Sequence, residues 1–508
     1  MILLCAHGNV FGMAHEFLAA VDLGSNSFRL QIGRIVNDQI YLLDGLKESV
    51  RLAAGLSADK FLDEAAQQRG VDALRRFNER LRGFDPGSVR AVATNTLRVA
   101  KNAHTFLVRA EEALGFPIEI VAGREEARLI YVGVAHTIPD PDCQQLVVDI
   151  GGGSTECIIG RSFRPILLES LYMGCVGYSI RFFPDGRVNK LFLKEAELAA
   201  SRELQTIAHA YRATGWENAV GSSGSAKMLS EILCQNHLAD DGVLTRDGLE
   251  WLRNRIIKAG RVENLDIDGL RGDREPVLLG GFAIMSAVFK EFALEKMQFS
   301  EGALRQGVLY DLLGRYHHHD LRDATVEAFA ERYQIDRHHA IRVARTACYL
   351  LGCFDPVLVE EDNMERRFLY WAAILHEIGI SVAHTGYHKH SAYIIANADM
   401  PGFSHMDQAR LARIVLVHRG KLARVADLPA SSSDWRLIAC LRLAVIFHRS
   451  REDDANPPVR IERGNGSFTL LSCRDWLEKR PLTSAALEEE QRQWLSVGKG
   501  LKIHMIET

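Results

Sequence analysis

Missing from this 508-residue chain are CxxC pairs, long apolar runs, low-complexity tracts and a strong charge of either sign. Nine cysteines scattered without such a pair exclude a disulfide framework and a cysteine zinc motif, and fit a reducing compartment. No apolar stretch approaches the ~18 to 20 residues that span a bilayer, so no integral membrane span is expected. The formal net charge of −4 creates no global field toward nucleic acid or membrane, and any polyanion site has to be a local basic patch. No nucleic-acid partner is therefore expected. No lysine or arginine precedes Arg29, so the apolar start MILLCAHGNVFGMAHEF lacks the basic region of a signal peptide. It reads as a loose leading extension of a cytoplasmic protein, at most peripheral to a membrane.

The length implies about three or four domains at the usual ~100 to 200 residues each. The texture changes near residue 315. Before it, β-branched runs such as AAVDL, VRAVAT, IEIVAG and QLVVDI alternate with helical stretches, the pattern of α/β layers. After it, WAAILHEIGI, ARLARIVLVHR and WRLIACLRLAVIFHR carry apolar residues at helical spacing. The join GRYHHHDLRD (314–323) reads as a polar linker, because adjacent histidines do not share a helix face. Pro-Pro, Gly-Asn-Gly and the alternating run FTLLS near the end predict a small strand-containing cap.

One pattern occurs twice. AVDLGSNSF (20–28) and VVDIGGGSTE (147–156) each take a β-branched strand to an aspartate and then into a turn of glycine and small hydroxyl residues. Such a turn frees backbone N–H groups to face an anion, and glycine lets a phosphate approach without meeting a Cβ. One copy alone would read as a tight hairpin. Two copies in consecutive α/β units predict facing hairpins with a phosphate chain between them. Neither is a Walker A loop, since no Gly-Lys-Ser/Thr follows.

These hairpins resemble the paired phosphate loops of the actin and sugar kinase superfamily. Within it the chain is similar to the exopolyphosphatase and guanosine pentaphosphate phosphohydrolase (Ppx/GppA) family. The same resemblance is carried by ATNTLR (93–98), AGREEARLIYVGV (122–134), GSSGSAK (221–227), GALRQGVLYD (302–311) and LHEIG (375–379). It implies an α/β fold of two actin-like (ribonuclease H-like, ASKHA) lobes, an all-α HD-like domain and a small C-terminal α+β domain. The expected boundaries are an extension at 1–16, lobes at 17–135 and 136–315, the helical domain at 316–450 and the small domain at 451–508.

In AGREEARLIYVGV, Glu125 has Arg128 three residues on and is expected to pair with it on the solvent side. Glu126 shares a stripe with Leu129, Ile130 and Gly133 and so faces the interior or a cleft wall. The resemblance gives Glu126 the role of activating the attacking water. It assigns phosphate to Ser25, Asn26 and Ser27 from one hairpin, to Gly151, Gly152, Gly153, Ser154 and Thr155 from the other, and to Arg98 as a forked donor. Asp149 and Glu156 are the expected carboxylates for Mg²⁺, or Mn²⁺ in its place, with Asp22 joining through water. GSSGSAK is either a turn near a nucleotide base or a plain βα turn, and GALRQGVLYD a packing helix with Arg305 facing the groove.

The expected activity is exopolyphosphatase: processive removal of terminal phosphate from inorganic polyphosphate. The alternatives are hydrolysis of guanosine pentaphosphate to the tetraphosphate, and a non-catalytic alarmone sensor, against which the presence of Glu126 argues. In LHEIG, His376 precedes glutamate where an HD phosphohydrolase has aspartate, implying an HD-like shell without that activity. His418 is expected in the core. Basic stretches in the helical half, HTGYHKH and FHRSR among them, would suit a long polyanion if they line one groove. A homodimer is the default assembly.

Overall fold

The computed structural model describes residues 16–36, 39–138, 142–316, 320–360, 363–451, 457–464 and 467–506. All but the last residue of the expected leading extension, and His317, His318 and His319 of the join, lie outside these. The chain divides into two compact units between Asp320 and Leu321.

The first unit is mixed α/β and holds two sheets that share a five-strand topology, the second with one further antiparallel edge strand. One contains β1 (Phe17–Leu23), β2 (Phe28–Val36), β3 (Gln39–Glu48), β4 (Val89–Ala93) and β5 (Ile118–Ile120), in the order β3-β2-β1-β4-β5. The other contains β6 (Gln145–Ile150), β7 (Thr155–Arg161), β8 (Arg164–Leu171), β9 (Asn218–Ser222), β10 (Val243–Thr245) and β11 (Lys296–Phe299), in the order β10-β11-β9-β6-β7-β8. In each, an antiparallel three-strand meander is followed by two strands parallel to its first. The patterns differ by strand position. All six residues of β6 (QLVVDI) are buried, as a strand at the centre of a sheet covered on both faces requires, whereas β3 exposes Tyr41, Leu42 and Leu43.

Between the sheets lies the helix Gly123–Ala135. Its Leu129, Ile130 and Val134 share one core with Val92 of β4 and with Val147, Ile158 and Val220 of the second sheet. The helix Leu304–Tyr316 packs along it and against β1. Their crossing is close enough that a Cβ at Gly307 would lie 1.7 Å from the Leu129 carbonyl oxygen, so backbone meets backbone there. This layer bears on the boundaries read at 136 and 315: a helix from the end of the second segment completes the core of the first.

The second unit is largely helical. Helices Leu321–Arg332, Arg337–Phe354, Met364–Leu375, Tyr387–Asn397, His405–Leu416 and Asp434–Phe447 precede β12 (Val459–Gly464), β13 (Ser467–Cys473) and β14 (Gly500–Ile506), with the helix Pro481–Leu495 before β14. The expected strands are present, but the boundary at 451 does not separate two cores. Phe468 and Trp494 belong to the same buried cluster as Trp371 and Trp435, and Arg442 makes a buried two-pronged ion pair with Glu490. A three-stranded sheet is too small to hold a core alone. Among the described residues no helix is long and apolar enough to cross a membrane.

Candidate active site

The two hairpins face one another in the first unit. A Cβ at Gly152 would lie 3.1 Å from that of Ser25, and one at Gly153 would lie 2.6 Å from the Asn95 side-chain oxygen. Any other residue there would push the loops apart. The first loop is braced by Thr96, whose hydroxyl donates to Ser25 Oγ at 2.8 Å. The second is closed by Gly151 N–H donating to the Ser154 carbonyl at 2.9 Å. Neither Gly152 nor Gly153 uses its amide on a backbone carbonyl among the described residues, so both N–H groups remain available to an anion.

Four carboxylates meet this gap. Asp149 and Glu156 stand directly opposite one another on β6 and β7, an arrangement that repels when both are charged. Asp149 accepts from Ser222 Oγ at 2.6 Å, and Glu156 from Ser170 Oγ at 2.7 Å. Asp22, at the end of β1, has its Oδ1 buried without a partner among the described residues. Glu126 is 6% exposed in the first turn of the helix Gly123–Ala135, and it lines the same cleft.

Burial dominates their protonation. It pushes Asp22 up to about 6 against the opposing pull of Arg305 and Arg29, with Asp149 adding repulsion. It pushes Glu126 up to about 7 while the Arg98 guanidinium pulls the other way. Burial also raises Asp149, and it raises Glu156 well above the ordinary range with help from Glu126 and Asp149. Oxygen donors that repel one another, one of them with an unsatisfied buried oxygen, suit a hard divalent cation.

Most of the expected site residues line one cleft: Ser25, Asn26, Ser27, Gly151, Gly152, Gly153 and Ser154 with Asp22, Asp149, Glu156 and Glu126. Thr155 does not. It is fully buried and its hydroxyl donates to the Met173 carbonyl at 2.7 Å, because strand alternation turns it away from its neighbour Glu156. Glu125 pairs with Arg128 as expected, but in the interior: both are buried, and Arg128 also reaches Asp311, which in turn binds Arg90. Arg98, expected as a donor to phosphate, is not among the residues that line the cleft. It is largely buried, and its Nη1 donates to Glu126 Oε2 at 3.0 Å and to the Val121 carbonyl at 2.9 Å.

Arg29, Arg274 and Arg305 supply the cleft's further cations. Arg305 was legible as facing the groove. Arg29 is the cross-strand neighbour of Asp22, a pairing that the hairpin motif itself could have revealed. Arg274 lies in a segment with no motif. GSSGSAK forms the β9-to-helix turn, with Ser222 oriented to Asp149 and with the hydroxyls of Ser223 and Ser225 donating to the Ile150 carbonyl. Ser223 holds φ +69°, a conformation costly outside glycine and of the kind found at functional turns. Its Gly224 makes room for the Arg274 guanidinium, which a Cβ would meet at 2.5 Å, while Lys227 pairs with Glu301.

Comparison with known proteins finds relatives of this fold. A crystal structure of an exopolyphosphatase from Cytophaga hutchinsonii is 26% identical, covers 58% of this chain and 97% of its own, and superposes with a TM-score of 0.54. The Ppx/GppA family member from Aquifex aeolicus is 25% identical, covers 59% and 99%, and gives 0.50. The sequence matches the Ppx/GppA phosphatase family over residues 31–316 and domain III of the Ppx/GppA phosphatases over residues 321–491. This chain belongs to the Ppx/GppA phosphatase family.

Proposed function

We propose that the protein is an exopolyphosphatase that releases orthophosphate from the ends of inorganic polyphosphate. The observation that carries this reading is the apposition of the two hairpins, with the Gly152 and Gly153 amides unused on backbone carbonyls among the described residues, in a cleft that the buried carboxylate Glu126 also lines. The duplicated sheet topology supports two actin-like lobes, and the Cytophaga exopolyphosphatase supports the substrate class. The second unit takes the place of the HD-like domain.

In this mechanism the Gly152 and Gly153 amides hold the terminal phosphate from one side and the Ser25 to Ser27 loop from the other. Arg29, Arg274 and Arg305 offset the charge of the chain behind it. Glu126 takes a proton from the attacking water, and Arg98 orients it through a single charge-assisted hydrogen bond. Asp149 and Glu156 would hold a divalent cation, Mg²⁺ or Mn²⁺, with Asp22 joining through water. When bound, that ion polarises the phosphoryl oxygens and neutralises part of the carboxylate cluster. Processive action, a homodimer and a cytoplasmic site of action belong to the same proposal.

The deciding experiment compares kcat/KM for long polyphosphate and for guanosine pentaphosphate on one preparation. A higher value for polyphosphate is expected. A preference for the pentaphosphate would reassign the chain to its 5′-phosphate hydrolysis, and turnover of neither would leave an alarmone sensor. In the same assay Glu156→Gln should raise the Mg²⁺ concentration for half-maximal rate by about 10-fold or more. An unaltered titration would move the cation elsewhere.

The pH profile offers a second check. With Glu126 raised from the ordinary 4.5 to about 7, kcat/KM should fall as pH drops through about 7, where the base becomes protonated. Because Arg98 favours the charged carboxylate, Arg98→Met should move this limb to higher pH. A limb that stays in place would show that Arg98 does not act through Glu126.

A further inference from the structure

A group of buried histidines in the second unit takes no part in the phosphate site. His339 belongs to the helix Arg337–Phe354, His376 follows the helix Met364–Leu375, and His418 follows the helix His405–Leu416. All three are buried. The rings of His339 and His376 are 5.8 Å apart between centroids, and those of His376 and His418 are 5.0 Å apart.

The hydrogen bonds fix how two of these rings are used. His376 Nδ1 lies 2.7 Å from the Ala373 carbonyl oxygen, and His418 Nδ1 lies 2.7 Å from that of Val415. A carbonyl only accepts, so each Nδ1 carries the proton. Each Nε2 then presents a lone pair, and neither finds a partner among the described residues; His339 Nδ1 is also without one, while its Nε2 is the nitrogen turned to Glu377. A buried polar atom left unsatisfied costs about 1–3 kcal/mol, and several in one cluster need a cause. Anchoring one ring nitrogen to a carbonyl while baring the other is how metal-binding imidazoles are oriented.

The third donor is a carboxylate. One ring nitrogen each from His339 and His376 and one oxygen of Glu377 all lie within 4.8 Å of one another, with His339 Nε2 4.0 Å from Glu377 Oε1. We propose that His339, His376 and Glu377 form a site for one divalent first-row transition ion, Zn²⁺ by donor preference. Two imidazoles and a carboxylate form a three-ligand set that leaves a fourth position open. Metal–ligand bonds of about 2.0–2.2 Å require the donors to draw together modestly, which the Glu377 side chain can supply. Imidazole donors separate this site from the all-oxygen cluster in the first unit, which suits Mg²⁺.

Arg451 is the competing cation. Its Nη2 contacts both Glu377 oxygens, at 2.7 and 2.8 Å, and its Nη1 donates to Asp336. A carboxylate has about four lone-pair positions, so Arg451 orients Glu377 and leaves it able to bind a second cation. If the guanidinium were instead the sole cation the cluster accommodates, no metal would bind.

The test uses the full chain, stripped with a chelator and then titrated with Zn²⁺ or Co²⁺ in excess Mg²⁺ to fill oxygen-only sites. We expect one tightly bound equivalent, with Co²⁺ giving the visible absorption of a nitrogen-ligated ion. His339→Gln and Glu377→Gln should each weaken binding by about 100-fold, while His384→Gln, an exposed histidine, changes nothing. Far-UV circular dichroism and the Tm of the metal-free variants should match wild type, which keeps loss of binding distinct from loss of fold. Absence of a stoichiometric ion in wild type, or undiminished affinity in both ligand variants, would overturn the proposal.

Discussion

Glu126→Gln is expected to lower kcat on polyphosphate by ~10²- to 10⁴-fold with little change in KM. Glutamine keeps a carbonyl oxygen that can accept from Arg98, so the ring of contacts around the side chain survives while the proton acceptor is lost. The Tm should change little, since the amide lifts a buried charge but leaves Arg98 an uncharged acceptor. Burial holds the glutamate well above its ordinary range, so its charged form is a burden on the fold as pH rises through about 7, and a neutral amide removes that burden. A variant with a normal melt and a kcat within a few-fold of wild type would remove Glu126 from the chemistry.

Arg128→Ala should cost about 3–5 kcal/mol of first-unit stability, measured as the shift of the urea transition that reports that unit. The guanidinium grips Glu125 at 2.7 and 2.8 Å and also contacts Asp311, whose other oxygen binds Arg90 at 2.7 Å. Removal deletes the guanidinium that binds both Glu125 and Asp311, in a buried network joining the helix Gly123–Ala135, β4 and the helix Leu304–Tyr316. kcat for the folded enzyme should stay within several-fold of wild type, because Arg128 faces away from the cleft that Glu126 lines. A loss below ~1 kcal/mol would mean that the network behaves as a solvated surface pair. The adjacent glutamates 125 and 126 are thus expected to divide between stability and catalysis.

That division explains what could be read from the sequence. Strand, aspartate and glycine turn are local signals, so both hairpins and the cleft-facing position of Glu126 were legible. The partner of a charged residue is not local. Glu125 was placed toward solvent because Arg128 lies one turn away, yet Asp311 and Arg90, distant in sequence, draw the pair inside. Thr155 was included with its neighbours in a small-residue run, but one residue further along a strand points to the opposite face. Arg274 reaches the cleft from a segment with no periodicity or motif to mark it. The shared core of the second unit was hidden for the same reason: a composition break at Pro-Pro marks a turn, and does not reveal that Trp494 returns to Trp435.

The placement of β14 has a consequence for biosynthesis. The first unit has all its packing elements once the helix Leu304–Tyr316 has been made, so the two hairpins can close while translation continues. The second unit cannot do this in steps. Its β13 needs β14 as its parallel neighbour, and Leu501 on that strand belongs to the same core as Val326 near its start. At ribosomal rates of about 5–20 residues per second, this unit's early helices wait about 10 to 40 s with their apolar faces uncovered. During that interval the nascent second unit, rather than the phosphate-binding one, is the expected client of chaperones.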